Sequence, residues 1–164
     1  MKIEILIKDS CFGDFTPRTY NTEDDDIRSI LIDVCRFIEY QVDFNVSGFG
    51  QDRWPVDTGT DLAVFLEQLP ETMKSLKIRQ PTNIDFYEQG IERYLKFSHS
   101  DINDIYKISC TSNTNWNPDP EVEKIHTPEL LEMLSNVKDT FIRIMTKLSP
   151  MIINHPWVME WKNT

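Results

Sequence analysis

The sequence predicts a mixed α/β fold of the α+β type: a mainly antiparallel sheet with a three-strand meander, packed by about three to four helices, within a single α/β domain spanning 1–164. Three observations carry this expectation. Ile3, Ile5 and Ile7 alternate with Lys2, Glu4 and Lys8, the period-2 pattern of a half-buried strand. Ile27, Ile30, Leu31, Val34 and Ile38 recur at the spacing that places them on one face of a helix. Ile84–Tyr87, Tyr94–Phe97 and Ile105–Cys110 are β-branched or aromatic runs separated by short polar breaks, which pair most simply as an antiparallel meander.

The elements follow in the order βαβα, meander, α. After the first strand, Asp9 to Asn21 is polar, contains Gly13 and Pro17, and reads as loop. Thr22-x-x-Asp25 resembles a capping box, with Glu23 to Asp26 placing negative charge at the positive end of a helix that runs to about Gln41. Val42 to Gly48 is a short strand with Phe44 and Val46 on one face. A second helix starts around Asp57 to Asp61 and carries Leu62, Phe65, Leu66 and Leu69. Pro70 lacks an N–H, so a kink or restart is expected there, before Met73 and Leu76.

Beyond the meander, Ser112 to His126 reads as a loop rich in Asn, Pro and acid. Thr127-Pro128-Glu129 is a helix start, Thr as the cap and Pro in the first helical position. Leu130, Met133, Leu134, Val137, Phe141, Met145 and Leu148 form its apolar stripe, which Pro150 ends. Met151 to Lys162, with His155-Pro156-Trp157 and Trp161, reads as a broken helix packed on the rest.

Composition bounds the function. A hydrophobic fraction of 40% and a charged fraction of 27% exclude a disordered chain. Cys11, Cys35 and Cys110 are odd in number and widely spaced, so buried reduced thiols are expected rather than a disulfide framework or a zinc site. Charges interrupt the first apolar stretch, and no run approaches the ~20 apolar residues of a membrane span. The expectation is a cytoplasmic protein. A formal charge of −10 disfavours direct contact with nucleic acid or an anionic membrane and favours a basic protein partner.

Motifs of catalysis are missing. The sequence has no H-E-x-x-H, G-x-S-x-G, Walker or G-x-G-x-x-G pattern. Ser47-Gly48-Phe49-Gly50 reads as a strand-exit turn rather than a phosphate cradle. His99, His126 and His155 lie in different segments without ligand spacing, so neither a metal nor a cofactor is expected. His99-Ser100-Asp101 has the makings of an oriented imidazole, and Glu88 and Glu92 those of a carboxylate pair flanking Gly90. A turn-capping Asp and a solvated hairpin tip explain the same residues.

Two segments qualify as partner contacts. Glu23, Asp24, Asp25 and Asp26 exceed the one or two acids that a helix cap uses. Trp116, Asp119, Glu121 and Glu123 set an aromatic beside carboxylates in a segment stiffened by Pro118 and Pro120, the makeup of an interface anchor with a charged rim. The competing expectation is a Trp116 folded back on the core.

Three motifs occur together in order: Asp61-Leu62-Ala63-Val64-Phe65-Leu66-Glu67-Gln68-Leu69-Pro70, then Asp85-Phe86-Tyr87-Glu88-Gln89-Gly90-Ile91-Glu92-Arg93, then His155-Pro156-Trp157 leading to Trp161. Together they resemble small immunity proteins of bacterial polymorphic-toxin and contact-dependent growth-inhibition systems. The resemblance spreads from about Val42 onward and rests on structural motifs. It implies a cytoplasmic, non-enzymatic protein that binds one cognate toxin domain, commonly a nuclease, and blocks its active site or substrate surface. It transfers no contact residues. The acidic segments above are inferred independently, because a nuclease must present a basic surface to phosphate. The alternative is a small enzyme or ligand-binding domain using Glu88, Glu92, His99 and Asp101.

Overall fold

The computed structural model describes residues 1–164. Its elements are β1 (Lys2–Ile7), α1 (Ile27–Ile38), β2 (Val42–Ser47), α2 (Asp61–Lys77), β3 (Thr82–Phe86), β4 (Arg93–Ser100), β5 (Ile105–Ser112), β6 (Val122–His126), α3 (Thr127–Leu148), α4 (Pro150–Ile153) and α5 (Pro156–Asn163). The mixed α/β class is as the sequence predicts. The strands form two separate antiparallel sheets, β1–β2 and β3–β4–β5–β6.

The meander therefore has a fourth strand. Val122–His126, read as loop from its acids and prolines, pairs along β5 from Ile105↔His126 to Ser109↔Val122. Of its five residues only Ile125 is buried, so the strand carries almost no alternating hydrophobic signal.

Two helix boundaries also differ from expectation. The α1 cap is Asp26, whose carboxylate accepts the N–H groups of Arg28 and Ser29 at 2.9 and 3.3 Å, and Thr22 lies outside the helix. Thr127 opens α3 without capping it. Instead its N–H and hydroxyl both donate to the Asp104 carbonyl, at 2.9 and 3.1 Å, fixing the helix start to the β4–β5 turn.

Pro70 does not break α2, which runs unbroken through it to Lys77. The carbonyl that Pro70 leaves without a partner belongs to Leu66, four residues back. The indole N–H of Trp161 donates to it at 2.8 Å.

Side chains seal two sheet edges. On β2, the Thr58 hydroxyl accepts from Phe44 N–H and donates to Val42 O, and the backbone N–H of Trp54 completes the edge by donating to Val46 O. On β3, the Gln68 amide meets both backbone groups of Asp85 at 2.9 Å, as a neighbouring strand would. One apolar cluster of 38 buried residues runs through both sheets and the helices, with Phe44, Phe65, Phe86 and Trp54 packed at its centre. Cys35 and Cys110 are buried free thiols, but Cys11, expected inside, is exposed on the loop after β1. No helix is long and apolar enough to cross a membrane.

Candidate partner-binding surface

The acidic run before α1 divides into structural and unengaged halves. Asp25 receives both terminal nitrogens of Arg18, at 2.8 and 2.6 Å, and the Asn21 N–H. The guanidinium holds its carboxyl well below the usual carboxylate range. Asp26 caps the helix. Asp24 accepts one bond, from the Asn21 side chain at 3.0 Å, and remains exposed. The Glu23 carboxylate is exposed and receives no hydrogen bond or ion pair within the chain.

The second segment folds back. Trp116 is half-buried and covers the Arg93 guanidinium at 3.6 Å from its ring centroid, with Trp54, edge-to-face with Trp116, at 4.4 Å. Arg93 is 2% exposed, faces no carboxylate, and leaves Nε and Nη1 without acceptors. Burial lowers its pKa, and the two indole faces are its main electrostatic compensation. Glu123 is also inward, accepting from the Phe49 N–H and the Met1 amino group. Asp119 and Glu121 keep exposed carboxylates while their backbones bond to Phe49 O and Cys110 N–H.

The residues of the alternative reading do not converge. Glu88 and Glu92 sit before β4 and His99 near its far end, seven residues along a strand, roughly 20 Å. His99 is bonded through Nε2 to Asp104 at 2.8 Å, with the exposed Asp101 at 3.4 Å from Nδ1. Asp104 also pairs with Arg79, and these bonds, His99 first, pull its carboxyl down to about 2. This cluster locks the β4–β5 turn to the end of α2.

A different set of carboxylates does come together. Arg28 on α1 lies 3.6 Å from Glu67 on α2 and 3.5 Å from Glu88 in the β3–β4 turn. Burial raises the Glu67 pKa, Arg28 lowers it, and Asp26 raises it again. On the other side of Glu88 lies a cavity of about 300 Å³ lined by Pro55, Asp57, Asp61, Glu88 and Ile91, among others. Asp26, Glu67, Glu88, Asp61 and Asp57 thus form one acidic band, and Arg28 is the cation paired within it.

Asp61 is the least exposed of these acids, at 2%. Its Oδ2 accepts the Asp57 N–H at 2.8 Å, and its buried Oδ1 has no partner. Burial pushes its carboxyl up to about 6, with Asp57 and Glu88 adding like-charge repulsion. Sequence reasoning saw Asp57 and Asp61 only as a helix start, and nothing in their spacing distinguishes a buried acid from an exposed one. Arg93 lies one residue before the strand as read from Tyr94, although the Leu95/Phe97 alternation carried back two residues places it on the inward face.

No group of three or more His, Cys, Asp or Glu side chains is placed to hold a metal ion. Comparison with protein-family models, with curated proteins and with solved structures found no match.

Proposed function

We propose that this protein is an immunity-type inhibitor that binds one cognate toxin domain with a basic surface, commonly a nuclease, and neutralises it by covering its active-site or substrate surface. It acts in the cytoplasm as a binding protein and performs no chemistry of its own. The observation that carries the reading is the acidic band from Asp26 to Asp57, on a chain whose net charge is −10. Glu23 and Asp24 extend it beside Asp26, with carboxylates that are exposed and largely unengaged. A surface of this sign attracts a phosphate-binding protein and steers its approach. The order of the three motifs, like that of small immunity proteins, supports the same reading.

The test is protection. Cells expressing the toxin gene adjacent to this one survive when this protein is co-expressed, and the two proteins co-purify. Equal death with and without it overturns the proposal. The association rate constant falls steeply between low and high salt, and also falls when Glu23→Gln and Asp24→Asn are combined. A rate that stays flat in both experiments removes the electrostatic part.

A further inference from the structure

We infer that the free edge of β1, where it borders a cleft against α3, is a docking site for an extended segment of a partner protein that carries both apolar and basic side chains and adds to the sheet as a further strand. The inference goes beyond the immunity reading and does not depend on it: the edge selects an extended basic segment whichever protein supplies it, on a surface separate from the acidic band.

The two sheets have four outer edges, and three are protected. Thr58 and Trp54 close β2, and Gln68 closes β3. β6 has only five residues and exposes Lys124 and His126, polar side chains of the kind that blunt an edge. β1 is different. Its two charges, Lys2 and Glu4, bind each other at 2.8 Å, and the rest of the strand is Ile and Leu. The Lys8 N–H donates to Gln41 O, so the alternation of the antiparallel ladder turns the backbone of Leu6, Glu4 and Lys2 towards β2. The N–H and C=O groups of Ile3, Ile5 and Ile7 therefore point outward, where no strand pairs with them. The Ile3 N–H reaches only the Met133 thioether sulfur, at 3.3 Å, a weak acceptor. Leu6 and Ile7, 44% and 41% exposed, continue the edge as apolar surface. An incoming strand supplies the carbonyl and N–H groups that such an edge lacks.

The cleft beside the edge selects among strands. It encloses about 610 Å³ between β1, Ile125 of β6 and one face of α3. Ile3, Ile5, Met133 and Val137 give it an apolar wall for every second side chain of an extended segment. The same face of α3 carries Glu129 and Glu132, exposed and in no ion pair. Lys2, the one basic side chain in the lining, is already taken by Glu4. The uncompensated charge of the cleft is thus negative and attracts Lys or Arg on the incoming segment. It repels a second copy of this chain, which brings the same carboxylates and a net charge of −10.

The experiment titrates the full chain with the acetylated and amidated hexapeptide Lys-Val-Lys-Val-Lys-Val at physiological salt and follows backbone amide shifts by NMR. The expected result is saturable movement of the Ile3, Ile5 and Ile7 amides and of amides in 129–137, at millimolar peptide. The analogue with Glu in place of each Lys binds at least tenfold more weakly. Two further analogues are N-methylated at the three valines or at the three lysines, and at least one of them loses binding tenfold or more, because a paired strand directs alternate N–H groups at its neighbour. Combining Glu129→Gln and Glu132→Gln, both at exposed helix positions, weakens binding at least threefold. Absence of saturable shifts, shifts centred on 57–61 and 88 instead of β1, equal binding of the Glu peptide, or undiminished binding of both N-methylated peptides overturns the inference. So do β1 amide shifts that depend on protein concentration without peptide, which mean that a second copy holds the edge. Peptide binding without protection from the toxin leaves the docking edge standing and removes the immunity reading, and protection without peptide binding does the reverse.

Discussion

The indole N–H of Trp161 donates to the Leu66 carbonyl, the acceptor that Pro70 deprives of its helical partner. Pro70 therefore creates a docking point inside α2, and α5 is held to it by a buried hydrogen bond between residues 95 positions apart. The same helix supplies Gln68 to the edge of β3. The segments 61–70, 85–93 and 155–161 are thus bonded to one another through Leu66, Gln68 and their partners.

Trp161→Phe keeps most of the ring packing and leaves a buried carbonyl unpaired, a loss of about 1–3 kcal/mol. Pro70→Ala restores an N–H to that carbonyl. In the Trp161→Phe background it recovers about 1 kcal/mol more than it does in the parent chain. Urea denaturation of the four proteins measures this coupling, and strict additivity contradicts the assignment.

Trp116→Ala uncovers Arg93 and removes half-buried indole surface. Stability falls by about 2 kcal/mol, from lost packing and cation–π contact together. A free interface anchor behaves oppositely, leaving denaturation unchanged and weakening only the complex. Denaturant midpoints of the isolated protein distinguish the two.

Gly50 has φ +81°, and a Cβ there stands 2.0 Å from the Asp119 carbonyl oxygen. Gly50→Ala must both strain the backbone and push away the segment that hydrogen-bonds Phe49. The expected cost is about 2–4 kcal/mol. Proteolysis accelerates at residues 114–120, and equal cleavage rates in parent and variant refute the contact's importance.

Asp61 gives stability a pH dependence of known sign. Its carboxyl rises from an ordinary 3.8 to about 6 in the fold, through burial first and then Asp57 and Glu88. Between these values the folded chain binds the extra proton, so this contribution is full below pH about 4 and is lost as pH rises through about 6. The loss is on the order of 1–2 kcal/mol after allowance for solvent screening. Asp61→Asn, whose amide keeps an acceptor for the Asp57 N–H and adds a donor, flattens the decline and is more stable than the parent at pH 7.5. Thermal melts at pH 4, 5, 6 and 7.5 test it, and parallel curves for both proteins argue against a buried ionised Asp61.

The sequence by itself determined the mixed α/β class, the faces of β1, α1 and α3, and the first three strands of the meander, because hydrophobic period depends only on neighbours along the chain. It also separated the Glu23–Asp26 run from the apolar stripe behind it. Only the tertiary structure decided which acids are engaged. Asp25 is held by Arg18, Glu123 faces inward, and Trp116 covers Arg93, each through a partner that hydrophobic periodicity does not point to. Tertiary packing also made Val122–His126 a strand, through hydrogen bonds that β5 supplies, and kept α2 continuous at Pro70. The acidic band itself joins α1, α2 and the β3–β4 turn, and charge becomes a surface only when separate elements bring it together.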